Sequence, residues 1–236
     1  MSLSLKRIYA IFLKDLKDLS KNLYVSSIVI LPLFFAIMYS RIDQPTIEIH
    51  YLIINLTLVS ITATIQCAVI AEEKEKNTLR GLMLSPATVL EILTGKSFVS
   101  LVLTAVTILV CMNITGYMPE NTVFVLIAIL LSCVFYLGLG TLLGLVTRTV
   151  VEASVIIMPF LFLFGFGSQL QGLTDQYSIL AFVNYMPNTQ LIEFAHKVED
   201  GLGFADLWSH LLIILAWGVA IGILTIGVYR KREMDE

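Results

Sequence analysis

Charge is what this 236-residue sequence has least of. Only 14% of its residues are charged, 57% are apolar, and the mean hydropathy is +0.87. Soluble domains hold about 25% charged residues; a chain this poor in charge cannot cover a water-facing surface, which excludes soluble folds. The net charge of −3 gives no basic face, which excludes a nucleic-acid partner. The three cysteines, Cys67, Cys111 and Cys133, lie inside apolar runs and far apart. They have neither metal-ligand spacing nor an evident disulfide pairing, and read as small buried hydrophobes. No cleavable signal peptide is expected, because the first twenty residues alternate charge and apolarity. No Gly-x-x-x-x-Gly-Lys-[Ser/Thr] motif is present, so the chain is not expected to bind ATP or hydrolyse it. No His-Glu-x-x-His occurs, and His50, His196 and His210 all fall at the ends of apolar runs or outside them. The Gly165-Phe-Gly-Ser168 stretch therefore lacks a base for its serine and reads as a glycine-bearing helix end. An enzyme is not expected, and neither is a metal.

What is present is a set of six apolar runs, each long enough to cross a hydrocarbon core. They cover about Leu23–Tyr39, Tyr51–Ala71, Ser97–Tyr117, Thr122–Val146, Val151–Leu170 and Trp208–Tyr229, with Pro32 and Pro159 inside the first and fifth. Ahead of them, Leu5, Ile8, Tyr9, Phe12, Leu16 and Leu19 recur at helical spacing opposite Lys6, Lys14, Lys17 and Lys21. That division predicts an interfacial helix over 1–21, with its lysines on lipid head groups. Residues 171–207 are long and apolar for a loop and are broken at Met186-Pro187-Asn188. They predict a semi-buried outer helical hairpin before the last span. The expected fold is thus an all-α membrane protein with six transmembrane helices in one domain, 1–236.

All but two of the 15 basic residues, Arg41 and Lys197, fall on one side of such a topology. The positive-inside rule puts both termini and the 72–96 loop in the cytoplasm of a prokaryotic cell. None of the 15 Lys and Arg or 18 Asp and Glu residues falls at mid-membrane depth. Ion-coupled carriers keep ionisable groups there. Asn55, Thr62 and Gln66 stand at i, i+7 and i+11 of the second run, one helical face, which looks into the bundle or into a wet cavity. Helix–helix hydrogen bonding and a place on a substrate pathway are both open for them. Phe160, Phe162, Phe164 and Phe166 crowd the fifth run, and Phe162 and Phe166 share a face that could line an apolar route. Gly140-x-x-x-Gly144 and Gly218-x-x-x-Gly222 permit close helix approach.

The 72–96 loop has its own pattern. Glu72-Glu-Lys-Glu-Lys76 continues the second span. A short amphipathic segment with Leu79, Leu82 and Met83 on its apolar side comes next, then Ser85-Pro86 as N-cap and first helical residue, then a helix into the third span. The result is an elbow offering an apolar knob to the cytoplasm. Here the chain resembles the type-2 integral membrane subunits of ATP-binding-cassette (ABC) exporters, on Glu72–Lys76, Thr78-Leu79, Leu82, Leu84, Ser85-Pro86, Glu91 and Gly95-Lys96. The topology extends the resemblance over nearly the whole chain. Gly81 departs from a firm helix and costs it about 1 kcal/mol against alanine.

The resemblance implies that Glu72, Glu75, Thr78, Leu79, Leu82, Met83, Ser85, Pro86 and Glu91 couple to a separate cytoplasmic ABC ATPase subunit that carries the ATP and Mg. It implies a second permease subunit, identical or homologous, and lipid around the pair. It places Asn55, Thr62, Gln66, Phe162 and Phe166 along a substrate pathway and Pro187 at an outer gate. The implied activity is ATP-driven export of an amphipathic substrate: a drug, a lipid-linked compound or a membrane-active peptide. The alternatives are a non-transporting membrane scaffold or immunity protein and an ion-coupled secondary carrier.

Overall fold

The computed structural model describes residues 9, 12–14, 17, 23–42, 45–76, 89–173 and 177–235, and among them every regular element is a helix. Five helices are long and apolar enough to cross a membrane: Ile47–Glu75, Ser97–Thr115, Thr122–Val146, Val150–Gly172 and Phe204–Tyr229. The first apolar run also forms a helix, α1, Leu23–Tyr39, with Pro32 inside it. Its 17 residues give a rise of roughly 26 Å at 1.5 Å per residue, shorter than the other five. Most of the expected interfacial helix over 1–21 lies outside the described residues. Phe12, which is described, packs edge-on against Phe98 at 5.2 Å.

The bundle is wound around α2, Ile47–Glu75, whose apolar window is wholly buried by the rest of the chain. It packs against α1, α3 (Val89–Thr115), α4 (Thr122–Val146), α5 (Val150–Phe166) and α6 (Pro187–Glu199). Midway, Leu58–Ala63 widens into a π-helical turn. The hydroxyls of Thr57, Ser60 and Thr64 take the carbonyls of Ile53, Leu56 and Val59. Backbone acceptors shared with side chains loosen the ordinary ladder, and β-branched Val59, Ile61 and Thr62 crowd the same turn.

Glycine sets the closest contact. A Cβ on Gly140 would stand 2.3 Å from the Ala63 carbonyl oxygen, and one on Gly144 would stand 2.7 Å from the Ile70 Cβ. The Gly140-x-x-x-Gly144 pair therefore lets α4 lie directly on α2. The Gly218-x-x-x-Gly222 pair of α7 (Phe204–Asp235) does no such thing: Gly218 has ordinary contacts at 3.7 Å and Gly222 faces open space.

The turn from α4 to α5 is capped by its own sequence. The Thr149 hydroxyl accepts from the Glu152 N–H, and the Glu152 carboxylate accepts from the Arg148 N–H at 2.7 Å. α5 continues as a 3₁₀ stretch over Gly167–Leu173. A second 3₁₀ stretch, Ser178–Tyr185, leads to α6, with Pro187 at its first turn. α6 is largely buried against α7, α4 and α2, so the connection before the last helix is packed into the bundle. Gly201, at φ +70, ends α6. Its N–H donates to Val198 and the Leu202 N–H to Lys197, a paired C-terminal motif that turns the chain into α7.

Candidate coupling site and transport face

The charged run that closes α2 sits on the corner between α4 and α5. The Lys74 ammonium donates to the Leu145 carbonyl at 2.6 Å and also to the Thr147 carbonyl. Leu145 is in the last turn of α4 and Thr147 is its C-cap, so the ammonium sits at the negative end of that helix, where a cation is favoured. One residue on, the Glu75 carboxylate accepts from the Val150 N–H at 2.9 Å, at the positive start of α5. Thus a cation meets the C-terminus of one helix and an anion the N-terminus of the next. Glu73 is buried and pairs with Lys14 at 2.8 Å, which ties the N-terminal stretch to the same turn. Glu72 pairs along its own helix with Lys76.

Of the expected coupling residues, Glu72 and Glu75 are therefore placed. Glu75 touches α5, and Glu72 stays within α2. Thr78, Leu79, Leu82, Met83, Ser85 and Pro86 lie outside the described residues. Glu91 falls in the first turns of α3. Sequence reasoning did not find Lys74 as the fastener of the α4–α5 corner. Its acceptors are backbone carbonyls some 70 residues away, and no residue type marks a carbonyl.

Asn55, Thr62 and Gln66 of α2 are all buried. The Thr62 and Thr104 hydroxyls bond each other at 2.7 Å. The Gln66 amide donates to the Thr141 hydroxyl at 3.1 Å and accepts from the Ser100 hydroxyl at 3.2 Å, joining α2 to α3 and α4. Asn55 instead donates to the Asn188 carbonyl at 3.2 Å, toward α6. The π turn lies between Asn55 and Gln66. Its extra residue per turn rotates the remainder of α2, so the i, i+7, i+11 spacing does not deliver one face.

α5 presents two unlike faces. Val151, Val155, Met158 and Phe162 form an outward stripe at spacings of four, three and four, with Val151 73% and Phe162 63% exposed. Phe166 stacks on Phe162 and meets Phe35 edge-on. Phe160 and Phe164 turn inward, where Phe164 packs on Phe135 and Tyr136. The four phenylalanines are thus split between surface and core. Pro187 is buried at the start of α6, beside the Asn55–Asn188 contact.

At the far end of the bundle, the Tyr117 hydroxyl donates to Glu199 at 2.9 Å and bonds Tyr51 at 3.3 Å. Burial pushes the Tyr117 phenol well above its ordinary range, helped by Tyr51 and Glu199, so it stays protonated and donates. This knot joins α2, α6 and the α3–α4 turn.

Compared with known proteins, residues 22–226 match the model of a family described as ABC-2 family transporter protein. No curated protein matches the chain.

Proposed function

The chain belongs to the ABC-2 family of transporter proteins and is a multi-pass membrane permease subunit of an ABC transporter; from that premise we propose that it exports an amphipathic substrate along the outer face of α5. The observation that carries this reading is the seating of Lys74 and Glu75 on the α4–α5 corner. The 77–88 segment, with its Leu79, Leu82 and Met83 knob, comes directly after that turn in sequence. A cytoplasmic ATPase pushing the knob would act through the last turn of α2 on the first turn of α5. From the first turn of α5 the displacement would pass along that helix to the Val151–Val155–Met158–Phe162 stripe.

In this reading two permease subunits, identical or homologous, face each other across the α5 stripes, with lipid around the remaining apolar surface. Phe162 and Phe166 line the route, and their apolar rings suit an amphipathic cargo. Asn55, Thr62 and Gln66 stand behind it as pairing groups that hold α2 to α3, α4 and α6. Pro187 fixes the inner end of the hairpin that braces the exit. Both termini and the 72–96 loop face the cytoplasm, ATP and Mg belong to the partner, and α1 acts as the sixth span.

Purification of the chain with its ATPase in nanodiscs tests the coupling role. Leu82→Asp is expected to leave the permease inserted and to abolish ATPase association. Normal co-purification of that variant would remove the knob from the reading. Inside-out vesicles then test direction: ATP should drive a fluorescent amphiphile into the lumen, and uptake that tracks an ion gradient without ATP would refute export by this route.

A further inference from the structure

A second polar site lies at the end of the bundle opposite the Lys74 corner. A cavity of about 360 Å³ opens between the first turn of α2, the 3₁₀ continuation of α5 and the middle of α6. Glu48, Ser168, Gln169, Gln171, Glu193 and His196 line it. Across its mouth, Glu48 and His196 are 3.0 Å apart, and the Gln171 amide donates to Glu193 at 2.7 Å. Ser168 is only 7% exposed, and its hydroxyl has no hydrogen-bond partner. Just beneath, Asn188 comes against Gly167, where a Cβ would lie 3.5 Å from its Nδ2. The Asn188 amide and the Asn55 Oδ1 are unpaired as well, although both residues are fully buried. Buried polar groups in native proteins nearly always have partners, so the unmet Ser168 hydroxyl, which lines the cavity, marks a place where something polar belongs.

The chemistry of that partner is set by charge and donor type. Two carboxylates face the cavity against one imidazole, so whichever form the imidazole takes, the carboxylates outnumber it. No lysine or arginine is among the described residues lining it. A cation is therefore favoured. Among the described residues no group of three or more His, Cys, Asp and Glu could hold a metal ion. The volume also exceeds that of a bare ion and falls in the range of small-molecule pockets. A group with several N–H donors would satisfy the carboxylates and the neutral oxygens together. We propose that the crevice between α2, α5 and α6 binds a protonated amine, with Glu48 and Glu193 holding the charge and Ser168 accepting a hydrogen bond. The site lies within one chain and does not depend on the pathway along α5.

The test uses the full permease with its ATPase in nanodiscs of phosphatidylcholine and phosphatidylglycerol. The probe is 2-phenylethylamine, compared by calorimetry with 2-phenylethanol, its uncharged match. The amine should bind and the alcohol should not. Glu48→Gln and Glu193→Gln should each weaken the amine by about tenfold or more, as expected for loss of a charge-assisted bond. Glu193→Asp, which keeps the charge, should retain most of the affinity, and this separates a binding role from a folding one. Equal binding of amine and alcohol, no amine binding to the wild type, or unchanged affinity in both Gln variants would overturn the proposal. Repeating the titration with phosphatidylethanolamine in the disc identifies the source of the amine. Competition means that a lipid head group occupies the site, and its absence means a soluble amine; both support the site itself.

Discussion

The Lys74 ammonium at the end of α2 lies 2.6 Å from the Leu145 carbonyl at the end of α4. The contact joins the last turn of α2 to the corner from which α5 departs, and Thr147 shares it. Lys74→Met is expected to leave membrane insertion and ATPase binding intact while reducing substrate-stimulated ATP hydrolysis several-fold. Loss of the charge-assisted bonds should also lower stability by about 1.5–3 kcal/mol, which thermal unfolding in detergent would register. Lys74→Arg should recover part of both.

Phe162 and Phe164 separate surface from core within one helix. Phe162→Ala is expected to change stability by no more than about 0.5 kcal/mol, as for other exposed positions, and to reduce transport or subunit pairing. Phe164→Ala empties a site against Phe135 and Tyr136 and should cost about 3–5 kcal/mol. Unfolding midpoints of the two variants compared with vesicle transport would check this.

The Thr62–Thr104 pair tests what the polar face of α2 is for. Replacing both with valine removes two hydroxyls together and leaves no orphan between them, so stability should move by less than about 1 kcal/mol. The set of amphiphiles that stimulate the ATPase should not change. A shifted substrate profile in the double variant would place Thr62 on the pathway after all.

Gly140→Val would drive a branched side chain into the Ala63 carbonyl and the Gln66 side chain. Overpacking of this kind costs about 1–3 kcal/mol or more. The variant should aggregate or be degraded, while Gly222→Val, which faces open space, should accumulate like the wild type. Expression and size-exclusion profiles distinguish the two.

Much of the fold was legible in the sequence because a lipid environment demands long apolar runs. The fourth helix matches its apolar run, Thr122–Val146, residue for residue. Other helices extend past their apolar runs: α2 begins at Ile47 and α7 runs to Asp235, since polar ends of a helix need no apolar signal. The three cysteines are free and buried, as their apolar settings imply. The π turn was not legible, because hydroxyl competition for carbonyls depends on rotamers rather than on residue type. It is also why the aligned spacing of Asn55, Thr62 and Gln66 did not translate into one shared surface. The glutamates and lysines after Ala71 could be read as a charged frame, but their acceptors at Leu145, Thr147 and Val150 are backbone atoms and leave no trace in composition.

The wrapping of α2 also constrains how the protein is made. This helix is synthesised before most of the groups that satisfy it: Thr104 comes 42 residues after Thr62, Thr141 comes 75 after Gln66, and Asn188 comes 133 after Asn55. Released alone into lipid, the Asn55 and Gln66 amides and the Thr62 hydroxyl would face hydrocarbon. α2 must therefore be held at the insertion machinery, or in contact with α1, until α3 and α4 have emerged. The last of its contacts closes only when α6 packs back onto it, so assembly of the core ends near the C-terminus of the chain although the core helix lies near its beginning.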